Sequence, residues 1–270
     1  MRLYEALLLI IGFLGVILVI FPFIQAIRVS LTPATTSYIV EFFAPISFEN
    51  YVHVLGYTLF PRWVVNTLIV AVAVSLTNMF FCLLAGYVLA RGRMPFTNAL
   101  TSLTIVSMSI PQFAIIVPIY FIMANLKLTN NLFGLILPLA VDPMGIFIMS
   151  QYIKTLPVSY EEAAMLDGYS ELDIIWKIIL PLSKPALVVL FATEFINAWN
   201  NFIYPLILIN NEQLLTVTVG ISNFRFAVLN VNWGATMAAS LISALPPVIF
   251  LILLSNRLIK GFMLGGLKGT

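Results

Sequence analysis

The sequence predicts an all-α, polytopic membrane protein of six transmembrane helices with one long polar loop near its middle. Three observations carry that prediction. Of the 270 residues, 61% are hydrophobic and only 9% are charged, whereas a soluble domain carries roughly 25% charged residues. Mean hydropathy is +1.05, and the apolar runs far exceed the roughly 10 residues of a barrel strand, so the spans are helices. The length suits six such runs with short connections, which makes residues 1–270 a single transmembrane domain without room for a second, soluble one. A net charge of +2 is too small to point to nucleic acid. Cys82, the only cysteine, lies in an apolar run, which excludes an intrachain disulfide and a cysteine metal site. His53, the only histidine, sits in a loop and receives no role.

The first span covers residues 6–29. Arg2 followed by an apolar run has the look of a signal peptide, but the run outlasts a typical h-region and no small-x-small cleavage site follows. It therefore reads as an uncleaved helix kinked at Pro22. Residues 30–62 are a mixed loop with Pro33, Pro45 and Pro61, and the second span, 63–90, ends at the basic turn Arg91-Gly92-Arg93. The third span, 103–124, contains Pro111 and Pro118 and reads as a kinked helix buried in the bundle, where neighbours satisfy the freed carbonyls. The fourth covers 132–153, the fifth 185–209 and the sixth 235–258, with a polar loop over 210–234.

Lysine and arginine set the orientation, because cytoplasmic loops carry the excess. With the N-terminus inside, nine of the thirteen basic residues are cytoplasmic (Arg2, Arg91, Arg93, Lys154, Lys177, Lys184, Arg257, Lys260 and Lys268). Four are outside: Arg28, Arg62, Lys127 and Arg225. Both termini and the polar loop after the fourth span then face the cytoplasm.

That loop, within 159–187, reads SYEEAAMLDGYSELDIIWKIILPLSKPAL and concentrates Glu161, Glu162, Asp167, Glu171, Asp173 and Lys177. Ser159 with Glu162 has the form of a capping box, Gly168 suits a left-handed helix end, and Ser170 with Asp173 opens a second short helix that Pro181 limits. A pair of short helices outside the bilayer follows, and on spacing alone it is as compatible with a solvated loop as with a docking element.

Particular residues go further. Glu162-Ala163-Ala164, Asp167-Gly168, Ile178 and Leu180-Pro181 resemble the EAA motif of ABC-importer permeases, and the continuation Pro181-Leu182-Ser183-Lys184-Pro185-Ala186-Leu187 is similar to the sugar-uptake, maltose-type branch, smaller permease subunit. Tyr169 departs from the alanine that many members carry after the glycine. The resemblance implies that 159–181 is a cytoplasmic coupling loop, with Glu162, Ala163, Ala164, Asp167 and Gly168 docking on a separate ATPase subunit.

The fifth span carries the most polar intramembrane cluster: Thr193, Glu194, Asn197, Asn200, Asn201 and Tyr204. At about 100° per residue they occupy a sector of about 120° on one helix. Such a stripe faces protein or a water-filled path, so it either lines a translocation route or ties helices together. Glu194 is the sharper case, since an acid in mid-span needs a partner or a proton. Asn66, Thr67, Thr77 and Asn78 in the second span are weaker candidates, with Asn78 kept among the path residues. Asn197-Ala198-Trp199-Asn200-Asn201-Phe202 with Pro205-Leu206 is similar to the WNxF…PL segment of the sugar-type permeases, where aspartate often stands at the position of Asn201. The loop from Leu215 to Gly220 looks like the family's external loop near the binding protein; by itself it is a β-branched polar loop.

No nucleotide site belongs to the chain. Its nearest approach is Gly261 to Thr270, but Leu267 follows Gly266 where a phosphate loop needs lysine. The tail instead resembles the glycine-rich end of sugar-type permeases, implying that Gly266, Lys268 and Gly269 reach toward the ATPase subunits. No catalytic constellation and no metal-ligand cluster stands out, so the chain is not read as an enzyme.

Taken together, the resemblance implies the permease subunit of an ATP-driven, binding-protein-dependent importer for sugars or oligosaccharides, working by alternating access. Polyols and glycerol phosphate are alternative solutes within the same family. An ion-coupled secondary transporter, with Glu194 as its relay, and a channel are alternatives from other classes. The expected partners are a second, homologous permease subunit, two ATPase subunits that bind ATP and magnesium, an extracytoplasmic solute-binding protein and the lipid bilayer. The chain itself is expected to bind no cofactor. The expected location is a bacterial or archaeal cytoplasmic (inner) membrane.

Overall fold

A computed structural model describes residues 3–33, 45–92, 94–226 and 232–266. All regular structure among them is helical. Three helices are each long and apolar enough to cross a membrane, and three bent helix pairs raise the number to six if each pair makes one crossing. The chain forms two compact units, Met1–Val64 with Val217–Leu245 and Val65–Thr216 with Pro246–Thr270.

In the first unit, α1 (Leu3–Ser30) is apolar all round and exposed over residues 8–24, the composition of a helix that faces lipid. The expected mixed loop after it contains a helix, α2 (Glu49–Gly56). The buried Asn50 amide of α2 donates to the Ser30 and Thr32 carbonyls at 3.0 and 2.7 Å. The long helix α3 (Phe60–Arg91) begins in this unit.

The second unit holds most of α3 and the bent pairs. The third predicted span is two helices, α4 (Thr97–Met108) and α5 (Ile116–Asn125), the latter preceded by a 3-10 turn Gln112–Ile115; the bend between them is 97°. A kink was expected, but the chain breaks outright. Pro111 supplies no N–H and stands extended (φ −62°, ψ 129°), and proline disfavours helix at the residue before it. The fourth span is likewise divided, into α6 (Leu132–Ile136) with a short 3-10 extension Leu137–Leu139, and α7 (Pro143–Lys154), bent by 46°.

The polar loop folds as two helical pieces. The first is α8 (Ser159–Leu166). Its N-cap is Val158, without a side-chain cap, so the expected Ser159–Glu162 box does not form. Ser159 is already inside the helix, too late to cap it. Gly168 does adopt the left-handed conformation, φ +83°. The second piece starts at α9 (Glu171–Ile174), whose Ser170–Asp173 capping box is complete, and runs through a π turn, Ile175–Ile179, into α10 (Leu180–Leu182). Pro181 lies in α10, directly after the π turn, near the end of this piece.

A 77° bend leads into α11 (Lys184–Trp199). The predicted fifth span stops there: residues 200–202 form a turn, and α12 (Ile203–Leu208) follows. The single polar stripe over 193–204 is therefore replaced by a helix end, a turn and a new helix start. The expected loop over 210–234 also contains a helix, α13 (Val217–Phe226), in the first unit, where Gly220 lets the Trp63 ring lie against its backbone. The last helix, α14 (Trp233–Gly266), carries Pro246 and Pro247 inside it.

The core of the second unit is built from α3, α7, the loop helices and α11. Leu83, Tyr87, Met149, Ala164, Ile175 and Leu187 are among its members. Close approach of α3 to α7 requires Gly86, since a Cβ there would stand 2.7 Å from Met149 Cβ. The polar loop is thus packed against the membrane helices on its inner side.

Candidate functional site

Two sites emerge, both within the second unit. The first is the outward face of α8. Glu161 and Ala164, three residues apart, share the inward face and are buried, while Glu162, Ala163, Leu166, Asp167 and Gly168 are exposed. Leu166 is 90% exposed, so an acidic face carries a fully presented apolar side chain. Beside it runs a groove that includes Glu162, Met165, Tyr169 and Glu171.

The inward face of α8 holds what the sequence reading missed. Glu161 has no exposed surface and pairs with Arg91 at the end of α3, accepting from Nη2 at 2.5 Å and Nε at 2.6 Å. The Tyr87 hydroxyl reaches the other carboxylate oxygen at 3.3 Å, and Arg91 Nη2 also donates to the Leu156 carbonyl at 3.3 Å. Both guanidinium nitrogens thus reach one carboxylate oxygen, Oε1, through charge-assisted bonds, which are short and strong. The loop helix is therefore tied to α3 by a rigid contact 70 positions apart in sequence. The only sequence signal was a carboxylate on the same helical face as Ala164; nothing local named Arg91 as its partner.

On α9, Asp173 accepts from Lys177 at 2.7 Å, and Lys177 lies over the Tyr169 ring, 4.9 Å from its centroid. The hydrogen bond from Lys177, followed by those from Ser170, holds the Asp173 carboxyl down at about 2. The same pair raises the Lys177 ammonium above its ordinary value. Tyr169, which departs from the resembled motif, thus packs on the lysine that braces the second loop helix.

The second site is a cleft of about 950 Å³ formed where the helices break, at the upper end of the range for small-molecule sites. Its wall includes the α4–α5 break at Ile110 and Gln112, the α6–α7 break at Asp142, and the end of α11. Glu194, Asn197, Asn200, Asn201 and Tyr204 all line it. They converge because the helix ends at Trp199, so the turn presents Asn200 and Asn201 independently of the helical period. Asn201 Oδ1 accepts the Tyr204 N–H at 3.1 Å and so opens α12. Thr193 lies outside the lining and returns its hydroxyl to the Val189 carbonyl.

Asn78 stands behind this wall, fully buried. Its Nδ2 donates to the Leu139 carbonyl at 2.7 Å and its Oδ1 accepts the Asp142 N–H at 2.6 Å. One side chain therefore satisfies two of the backbone groups freed by the α6–α7 break, and so holds Asp142 at the cleft edge. The Asp142 carboxylate in turn caps α7, accepting the Gly145 N–H at 2.9 Å. Asn66 has a comparable task, donating to the Gln213 and Leu215 carbonyls at 2.9 and 3.0 Å.

Among the described residues, no three His, Cys, Asp or Glu side chains group as metal ligands. Gly266 is the last residue of α14, while Lys268 and Gly269 lie outside the described residues.

Residues 82–263, which contain α8 and every residue lining the cleft except Val74, match the family model described as "Binding-protein-dependent transport system inner membrane component". The chain is 36% identical to the trehalose/maltose transport system permease protein MalG of Thermococcus litoralis, covering 98% of each chain. It is 29% identical to the arabinooligosaccharides transport system permease protein AraQ of Bacillus subtilis, over 83% of this chain and 80% of that one. Its fold is that of a chain in a bacterial ABC transporter involved in the import of the acidic polysaccharide alginate, with a TM-score of 0.85, 23% identity, and coverage of 94% of this chain and 96% of that one.

Proposed function

This chain belongs to the binding-protein-dependent transport system inner membrane components, and from that premise we infer how its two sites divide the work. The protein is an inner-membrane permease subunit of an ABC importer for sugars or oligosaccharides. The observation that carries the reading is that the family match spans both the exposed loop helix and the polar cleft.

The ATPase activity resides on separate subunits, to which the α8 face docks. Glu162 and Asp167 supply charge there, Leu166 supplies an apolar contact, and Gly168 supplies the tight helix end. ATP-driven closure of those subunits moves α8. Glu161 and Arg91 pass the motion to α3, because their charge-assisted contact is buried and the Tyr87 hydroxyl holds the second carboxylate oxygen. A second permease subunit faces the open side of the cleft, and a solute-binding protein delivers from the other side of the membrane. Alternating access follows if the docked subunits contact the inward- and outward-facing states differently. Both termini lie in the cytoplasm, in keeping with the bias of lysine and arginine. Gly266, Lys268 and Gly269 are assigned to the same cytoplasmic assembly. An ion-coupled carrier would have no use for the exposed acid-and-leucine face of α8.

The test is uptake by proteoliposomes holding the chain with its partner permease, ATPases and binding protein. Glu162→Lys is expected to lower ATP-dependent uptake at least about tenfold while ATP hydrolysis persists, since reversing a charge at a docked pair costs several kcal/mol. Full uptake by that variant, or uptake that survives removal of the ATPases, would refute the reading.

A further inference from the structure

The charge of the cleft narrows the solute. We propose, resting on the importer reading above, that this chain's share of the route excludes anionic solutes and selects uncharged, hydroxyl-rich saccharides. Glu194 and Asp142 both line the cleft, and among the described residues no lysine or arginine does. Glu194 is largely buried, and no hydrogen bond or ion pair to another described residue is made by its side chain. Its carboxyl group is therefore left to face whatever enters.

Helix geometry points the same way. In a broken membrane span, an anion is held at the positive N-terminus of the second half-helix. At the α6–α7 break that position is the start of α7, and the chain's own Asp142 carboxylate already occupies it, accepting the Gly145 N–H. Asn78 pins Asp142 there through its backbone N–H. The N-terminus is thus neutralised from within. The remaining polar side chains are neutral, the amides Gln112, Asn197, Asn200 and Asn201 and the hydroxyls of Ser107 and Tyr204, which both donate to and accept from hydroxyls. The alginate importer that shares this fold carries an acidic polysaccharide; the wall described here would repel one.

Charged thiol reagents measure this field directly. In the full-length chain in nanodiscs, with Cys82→Ala removing the native thiol, Asn200→Cys places a reporter on an exposed cleft position. Its reaction with a cationic and an anionic methanethiosulfonate is compared, each normalised to a free thiol in solution. A neutral methanethiosulfonate controls for access, and Asn197→Cys provides a second reporter. The cationic reagent is expected to be favoured roughly tenfold, as in clefts of one sign. Glu194→Gln is expected to reduce that preference roughly threefold. Equal rates for the two reagents at both reporters would overturn the proposal, as would shielding of the thiol by trigalacturonate at least as strong as that by maltotriose. The importer reading is scored separately, by ATP-dependent uptake in the wild-type assembly, so either can fail alone.

Discussion

Glu161 and Arg91 show what a single residue pair contributes. Their side chains are 0% and 6% exposed, so removing one partner strands a buried charge, which costs about 3–5 kcal/mol, whereas replacing both with apolar residues of similar size is often neutral. Arg91→Met alone is expected to lower thermal stability in detergent by several degrees, and Arg91→Met with Glu161→Leu to recover most of it. If the pair also transmits motion, the double variant regains stability but not uptake; recovery of both would leave the contact a purely structural one. At the exposed end of the loop, Asp173 makes a pH prediction. Its carboxyl is held at about 2, below the ordinary 3.8, by Lys177 and Ser170. A depressed carboxyl stabilises above its ordinary value and loses that effect as pH falls through the folded one. The amide resonances of Ser170 and Asp173 are therefore expected to titrate with a midpoint near 2; a midpoint at 3.8 would show that the box is not closed in solution.

Among the elements, the breaks matter more than the helices. The third, fourth and fifth predicted spans are divided in the structure, and each division releases backbone groups that need partners. Asn78 satisfies two of them at once and so fixes where the second half-helix begins. The elements also meet closely at Gly86, where α3 lies against Met149 of α7. Gly86→Val is expected to destabilise the chain by about 1–3 kcal/mol, the usual cost of overpacking, read as a lower unfolding midpoint with helix content retained. An unchanged midpoint would mean that α3 and α7 are not in tight contact. The helical periodicity that placed Thr193, Glu194, Asn197, Asn200, Asn201 and Tyr204 on one stripe assumed an unbroken helix. Five of those six reach the same cleft by a different route, a helix end followed by a turn.

For the whole molecule, composition and charge were enough to establish a helical membrane protein, and the EAA-like residues were enough to establish its family. These are properties of side chains counted along a chain: apolar runs long enough to cross lipid, and a polar insert that lipid will not accept. The Ser170–Asp173 box and the left-handed Gly168 were legible for the same reason, since each involves residues at most three apart. The Ser159–Glu162 box was misplaced because a helix start is settled by what the preceding residues pack against, and Val158 already belongs to that turn. The helices inside the expected loops, α2 and α13, depend on packing partners such as Trp63 against Gly220. Glu161 was passed over in favour of its neighbour Glu162, since only the fold reveals that one carboxylate turns inward to Arg91 and the other outward. The sequence by itself determined the membrane class, the loop and the family, because those rest on local composition and short spacing. Tertiary structure alone decided which acid is a tie and which is a docking group, and gathered Glu194 and Asp142 on one wall, because those depend on contacts between residues far apart in the chain.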